Sequence, residues 1–296
     1  MKVDRTLFAE IQALRLSQPG LATGGRSGDR RSPYRGRGME FADHRPYSPG
    51  DDLRLVDWNV YARLGQVLVR LFHEDRNLCM GICLDASASM GHGSPVKVEH
   101  AGSLAGALAA MGLFHRDTVT LAVASDRPVH RVRGHDARAL GQVLRVLEDT
   151  EAAGRPDLAA AVRGLTGRHR LDRLVVLTDL LVEDDEREAV LRAMASSCRH
   201  PVLMHVLDAT ELSPDLSDGV EAEDAETGEV IRVGGSATLA ASYRDALEGW
   251  LSDIRDRCAA LQILYVSAYT TVPVRDLVFD ALRSGRIIES SRGGAR

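Results

Sequence analysis

Leu84-Asp85-Ala86-Ser87-Ala88-Ser89-Met90 is the stretch on which the reading of this chain turns. It follows the apolar run Leu78–Leu84, so Asp85 stands where a buried strand should end. One carboxylate and two hydroxyls at i, i+2 and i+4 can fold around a hard cation as the strand turns into a loop. Such oxygen ligands suit Mg²⁺ or Mn²⁺. The same spacing also suits an ordinary turn in which Ser87 and Ser89 bond nearby backbone, and spacing alone does not choose between the two. A second run, Leu174-Val175-Val176-Leu177, leads into Thr178-Asp179 and repeats the pattern of apolar strand then acid. Parallel strands of a doubly wound sheet present their carboxyl ends to one crevice. The two strands are therefore expected side by side or nearly so, with Asp85 and Asp179 at the same edge. A helix N-cap or a loop acid is the other reading of Asp179.

Around these two strands the chain alternates. Strand-like runs are Leu78–Leu84, Thr118–Ala124, Leu174–Leu177, Val202–Leu207 and Leu261–Val266, with an edge strand at Val129–Val132. Helical periods fall between them, at Val98 to Met111, Leu140 to Leu147, Leu158 to Leu165 and Leu239 to Cys258. A last helix begins at Pro273. Alternating βα units predict an α/β fold: a doubly wound, mostly parallel sheet of Rossmann-like type with helices on both faces. Val220–Ala222 and Val230–Val233 flank Glu226-Thr227-Gly228, the pattern of a hairpin.

Upstream, Leu7, Ile11 and Leu14 recur at helical spacing. A Gly-, Ser- and Arg-rich stretch holding Arg26, Arg30, Arg31, Arg35 and Arg37 follows, then dense turn chemistry at Pro46 to Asp52 and a strand at Val67–Phe72. The predicted organisation is a helix, an Arg/Gly loop and a β-rich appendage over residues 1–75. The α/β domain takes residues 76–284, with its hairpin near 220–233, and residues 285–296 form a flexible tail.

Composition narrows the function. With 296 residues, 44% of them hydrophobic, the chain can bury a sizeable core. Its net charge of −5, from 37 basic and 42 acidic residues, argues against a nucleic-acid binder driven by global charge. No apolar run approaches the ~20 residues that span a bilayer, and no signal peptide is visible. Cys79, Cys83, Cys198 and Cys258 form no CxxC and read as buried reduced thiols. A cytoplasmic protein is the expectation. The sequence lacks a Walker phosphate loop, a His-Glu-x-x-His and a Gly-x-Ser-x-Gly. Ser87 stands where an aspartyl-nucleophile phosphatase would carry its acid/base carboxylate, and neither His92 nor His100 has an evident orienting acid.

Asp85-x-Ser87-x-Ser89, the apolar strand before it and Asp179 after a later strand resemble the metal-ion-dependent adhesion site (MIDAS) of von Willebrand factor A (vWA) domains. The block Arg35-Gly36-Arg37-Gly38-Met39-Glu40-Phe41, Arg45-Pro46-Tyr47-Ser48-Pro49-Gly50-Asp51-Asp52, Arg54, Asp57-Trp58 and Ala62-Arg63 is similar to the bacterial vWA-like family catalogued as domain of unknown function 58. That resemblance implies binding rather than catalysis: a non-enzymatic adaptor or chaperone-type protein working with a MoxR-type AAA+ ATPase, with other vWA proteins as further candidate partners. It implies Mg²⁺ or Mn²⁺ held by Asp85, Ser87, Ser89 and Asp179. Where family members often show Gly-Gly-Thr-Asp-Leu, this chain has Gly154-Arg155-Pro156-Asp157-Leu158. Pro156 offers no hydroxyl, Arg155 brings a cation close, and Asp157 is either a substitute ligand through water or the cap of the following helix. A vWA scaffold with a degenerate, metal-free site, a metal-dependent hydrolase and an RNA-binding module using the Arg26–Arg37 cluster are the rival readings.

Overall fold

The computed structural model describes residues 10–11, 14–16, 40–73, 77–126, 130–166, 171–214, 220–223, 230–233, 237–281 and 288–290. The chain divides into a large unit, Met1–Leu21 with Leu78–Arg296, and a small unit, Ala22–Asn77. In chain order the large unit opens with β1 (Leu14–Leu16). The small unit carries β2 (Glu40–Pro46), α1 (Trp58–Leu64) and β3 (Leu68–His73). The large unit resumes with β4 (Cys79–Asp85), α2 (Lys97–Phe114), β5 (Thr118–Ala124) and β6 (His130–Gly134). Next come α3 (Ala137–Glu148), α4 (Leu158–Leu165), β7 (Arg173–Thr178), α5 (Asp184–Ser197) and β8 (Pro201–Leu207). The one-turn α6 (Ala209–Leu212), β9 (Val220–Glu223), β10 (Val230–Val233), α7 (Ala237–Ala260) and β11 (Leu264–Tyr269) follow. A short α8 (Val274–Asp276) and β12 (Ile288–Ser290) close the order.

Six strands form the central sheet in the order β11-β8-β7-β4-β5-β6. Every pairing is parallel except β5 with the edge strand β6. β4 and β7 are neighbours, with Ile82 opposite Val175 and Leu84 opposite Leu177. Strand alternation builds two cores from one sheet. Ile82, Leu84, Leu121, Val123 and Leu177 pack on one face with Leu104, Leu108 and Met111 of α2 and Val143 of α3. Cys83, Ala122, Leu174 and Val176 pack on the other with Val162 of α4, Leu191 and Met194 of α5 and Ile254 of α7. Because both faces are covered, the inner strands read as unbroken apolar runs. A Cβ at Gly81 inside β4 would lie 2.6 Å from the end of the Leu171 side chain, which would have to shift.

In the small unit β2 pairs antiparallel with β3, with an irregular register between Phe41 and Asp43. Arg45 holds Asp51 through two hydrogen bonds of 2.7 and 2.6 Å, which fixes the Pro-Gly turn between them. Asp57 caps α1, accepting from the backbone N–H of Asn59 and Val60, and its other oxygen meets His44 Nε2 at 2.9 Å.

Several expectations change. The N-terminal helix does not extend to Leu14, which lies in β1 opposite Ser290 of β12. Ile11 is wholly buried in the core of the large unit. Residues 10–16 therefore do not belong to the appendage, whose small unit begins at Ala22 rather than at the start of the chain. Three residues of the expected tail, Ile288–Ser290, form β12. The last sheet strand starts at Leu264, not Leu261, because Gln262 takes a φ of +57° and turns the chain after α7. Sequence reading passed over α5. The Arg26–Arg37 cluster and Glu226-Thr227-Gly228 lie outside the described residues.

Candidate site at the carboxyl edge

β4, β7 and β8 run parallel and each is followed within a residue by an acid or ends on one: Asp85, Asp179 and Asp208. All three are buried. Asp85 accepts from the backbone N–H of Ser87 at 2.9 Å through one oxygen and from the Thr178 hydroxyl at 2.6 Å through the other. The hydroxyls of Ser87 and Ser89 lie 3.1 Å apart. Asp85, Ser87 and Ser89 are thus gathered on one buried turn. Burial raises the Asp85 carboxyl above its usual range, and the nearby Asp179 charge adds to it. The bonds from Thr178 and Ser87 pull the other way.

Asp179 sits at the same edge, and its partner was not foreseen. Lys97, the first residue of α2, donates from Nζ to Asp179 Oδ2 at 2.7 Å and also to Glu211 Oε1. The Lys97 side chain is 0% exposed, and the second oxygen of Asp179 accepts the backbone N–H of Leu181 at 3.1 Å. A wholly buried lysine is rare unless paired. Burial works to discharge this ammonium, but the charge and hydrogen bond of Asp179 and the contact with Glu211 outweigh it, so its pKa is raised.

Behind Asp179 the ring of His205 is clamped at both nitrogens. Nε2 meets the Asp179 carbonyl at 2.8 Å and Nδ1 the Tyr265 hydroxyl at 2.8 Å. Burial pushes its pKa down to about 4. Asp208 binds the Thr270 and Thr210 hydroxyls at 2.6 Å each and accepts from the N–H groups of Thr210 and Ser94. Burial would raise its pKa, yet those bonds hold it down at about 2. The sequence signal for Asp208 existed: Val202–Leu207 then Asp208 repeats the pattern that flagged Asp179.

The loop before α4 lies against the Asp85 turn. Ala88 donates to the Gly154 carbonyl at 2.9 Å and Ala153 to the Ala86 carbonyl at 2.9 Å. Gly154 has a φ of +68°, and a Cβ there would lie 2.6 Å from that of Asp126. Arg155 and Pro156 follow directly. Arg155 pairs with Glu186 at 3.0 Å. Asp157 caps α4, accepting from Ala160 N at 2.7 Å, so its helix-cap reading is the one the geometry realises.

Do these residues fit a divalent ion? Asp85, Ser87 and Ser89 supply three oxygens on one turn. The fourth ligand implied by the resemblance, Asp179, has both oxygens engaged, one of them by an ammonium. An ion shared between Asp85 and Asp179 would stand beside a buried like charge. The set does not fit that shared ion. Among the described residues no group of three or more His, Cys, Asp or Glu could hold a metal.

The family profile described as protein of unknown function DUF58 matches residues 43–248. The chain belongs to the DUF58 family. An uncharacterized protein of Mycobacterium bovis and one of Mycobacterium tuberculosis are each 30% identical to this DUF58 chain over 235 residues, covering 77% of it and 73% of their own length. Among solved structures, the conserved hypothetical protein BatB from Bacteroides thetaiotaomicron overlaps 71% of the DUF58 chain and 98% of its own, at 14% identity and a TM-score of 0.43. The VWA domain of SpRpn10 overlaps 69% and 94%, at 14% identity and a TM-score of 0.38. Among the described residues of the DUF58 chain no helix is long and apolar enough to cross a membrane.

Proposed function

We propose that this DUF58 protein is a non-enzymatic docking protein of vWA type whose main partner is a MoxR-type AAA+ ATPase. The observation that carries the reading is that each acid at the carboxyl edge is already held by donors of the protein itself. Asp85 is held by Thr178 and Ser87, Asp179 by Lys97 and Leu181, and Asp208 by Thr210, Thr270 and Ser94. Nucleophilic or acid–base chemistry needs a group poised to attack or to trade a proton with substrate. Here the buried groups are spent on one another, and both nitrogens of His205 are occupied. Such an edge is rigid and suits recognition by shape and charge. The family resemblance supplies the class of partner. Free cysteines at positions 79, 83, 198 and 258 support a reducing, cytoplasmic setting.

The test mixes purified protein with the MoxR-type ATPase in the presence of nucleotide. Co-elution on size exclusion together with a changed ATP hydrolysis rate is expected. Separate elution with an unchanged rate sinks the proposal.

A further inference from the structure

We infer that the ammonium of Lys97 is the resident cation of the carboxyl-edge site, standing where a divalent ion would otherwise bind Asp179, and that docking by this protein does not depend on a bridging metal. The inference rests on the docking reading above but concerns how the edge is built.

Four observations carry it. Lys97 occupies the first turn of α2, where the helix dipole disfavours a cation, so only strong compensation keeps an ammonium there. That compensation is on hand in Asp179 and Glu211, and Lys97 is the largest wholly buried side chain among the described residues. Both oxygens of Asp179 are engaged, one by the Lys97 ammonium and the other by Leu181 N–H. Of the other candidate acids, Asp157 caps α4 and Asp85 is bonded to Thr178 and Ser87, while Pro156 contributes no hydroxyl.

A lysine in this role differs chemically from a metal. An ammonium donates three hydrogen bonds and has no open coordination position. Buried, it cannot accept a partner's carboxylate. Lys97 is thus a positioning residue: it fixes Asp179, and through Glu211 it ties the start of α2 to the one-turn α6 after β8.

The test is Mn²⁺ calorimetry on the full chain and on Lys97→Ala, after circular dichroism shows each to be folded. Wild type should show no saturable binding in the millimolar range. Lys97→Ala should gain a saturable site at least about tenfold tighter than any wild-type heat, because a like charge beside Asp179 has been removed. Lys97→Ala/Asp179→Asn should lose it again. Saturable binding by wild type, or a folded Lys97→Ala protein with no gain, overturns the inference. Should Lys97→Ala not fold, the wild-type thermal midpoint decides. No change between millimolar Mg²⁺ and EDTA supports the inference, and a rise with Mg²⁺ that vanishes in Asp85→Asn overturns it. Failure of the ATPase to co-elute would sink the docking reading and leave the Mn²⁺ result standing. Co-elution, with Mg²⁺ kept throughout for the ATPase's nucleotide, together with saturable Mn²⁺ binding by wild type would do the reverse.

Discussion

At the amino end of β4, Asp117 takes the N–H of Leu78 at 2.8 Å and Asp172 that of Cys79 at 2.8 Å. At the carboxyl end of the same strand, Asp85 takes a hydroxyl and Asp179, one strand over, takes an ammonium. The residue type is the same, but the acids meet different partners. A strand start leaves backbone donors open, and a nearby carboxylate closes them, which is a local repair of single N–H groups. The carboxyl end instead draws side chains from α2, β7, α6 and the residue after β11 onto buried charge. Where a charge is paired with another buried charge, removing one partner strands the other, and the energetic stakes rise.

The largest break in that contrast should come from Asp179→Leu. It leaves the buried ammonium of Lys97 with Glu211 alone, and stability should fall by about 3–5 kcal/mol in urea denaturation. Lys97→Met/Asp179→Leu, which removes both charges, should recover much of that loss. A single variant as mild as those at the amino end would erase the distinction.

Second comes pH. His205 titrates at about 4 in the folded state, against 6.5 ordinarily. Between these values the unfolded chain binds more protons, so stability rises with pH. The contribution is fully present above 6.5 and is lost as pH falls toward 4, on the order of 3 kcal/mol. Asp85, with its raised pKa, works in the opposite sense over part of that window. The readout is therefore the difference in slope between wild type and His205→Gln, whose stability should rise less, or fall more, with pH across that window.

A smaller effect is expected of Thr178→Val. It removes the 2.6 Å bond to Asp85 and should cost about 2 kcal/mol. It should also raise the Asp85 pKa further, since that bond holds it down; NMR titration of the Asp85 carboxyl would show no upward move if the bond were immaterial. Smallest is Asp172→Asn at the amino end. Its amide oxygen can still accept from Cys79, so thermal melts should show a loss under about 1 kcal/mol.

The sheet was legible because its strands are buried on both faces and therefore spell themselves as apolar runs. β5 spans Thr118–Ala124 as the sequence reading placed it, and β4 and β7 differ from their runs by a residue at each end. α5 was not legible because its buried face is diluted. Ala193 and Ser197 are small, and the buried Arg187 reads as polar although its guanidinium lies 5.6 Å from the Trp250 ring centroid. At the site, the acid and hydroxyl positions followed from motif spacing. Lys97 did not, because lysine is read as a solvent-facing residue and its two carboxylates lie 82 and 114 residues away in sequence. Leu14 misled because three apolar residues at helical spacing are too few to outweigh pairing with Ser290 across the whole length of the chain.

That pairing of β1 with β12 has a topological consequence. The small unit, Ala22–Asn77, is inserted between two parts of the larger one and is tethered at both of its ends. A single protease cut at either junction leaves it attached: by the other covalent link if the cut falls near residue 21, or by the β1–β12 ladder and the buried Ile11 if it falls near residue 77. Only two cuts set it free, so this unit behaves as a loop grown to domain size rather than as a bead on a string.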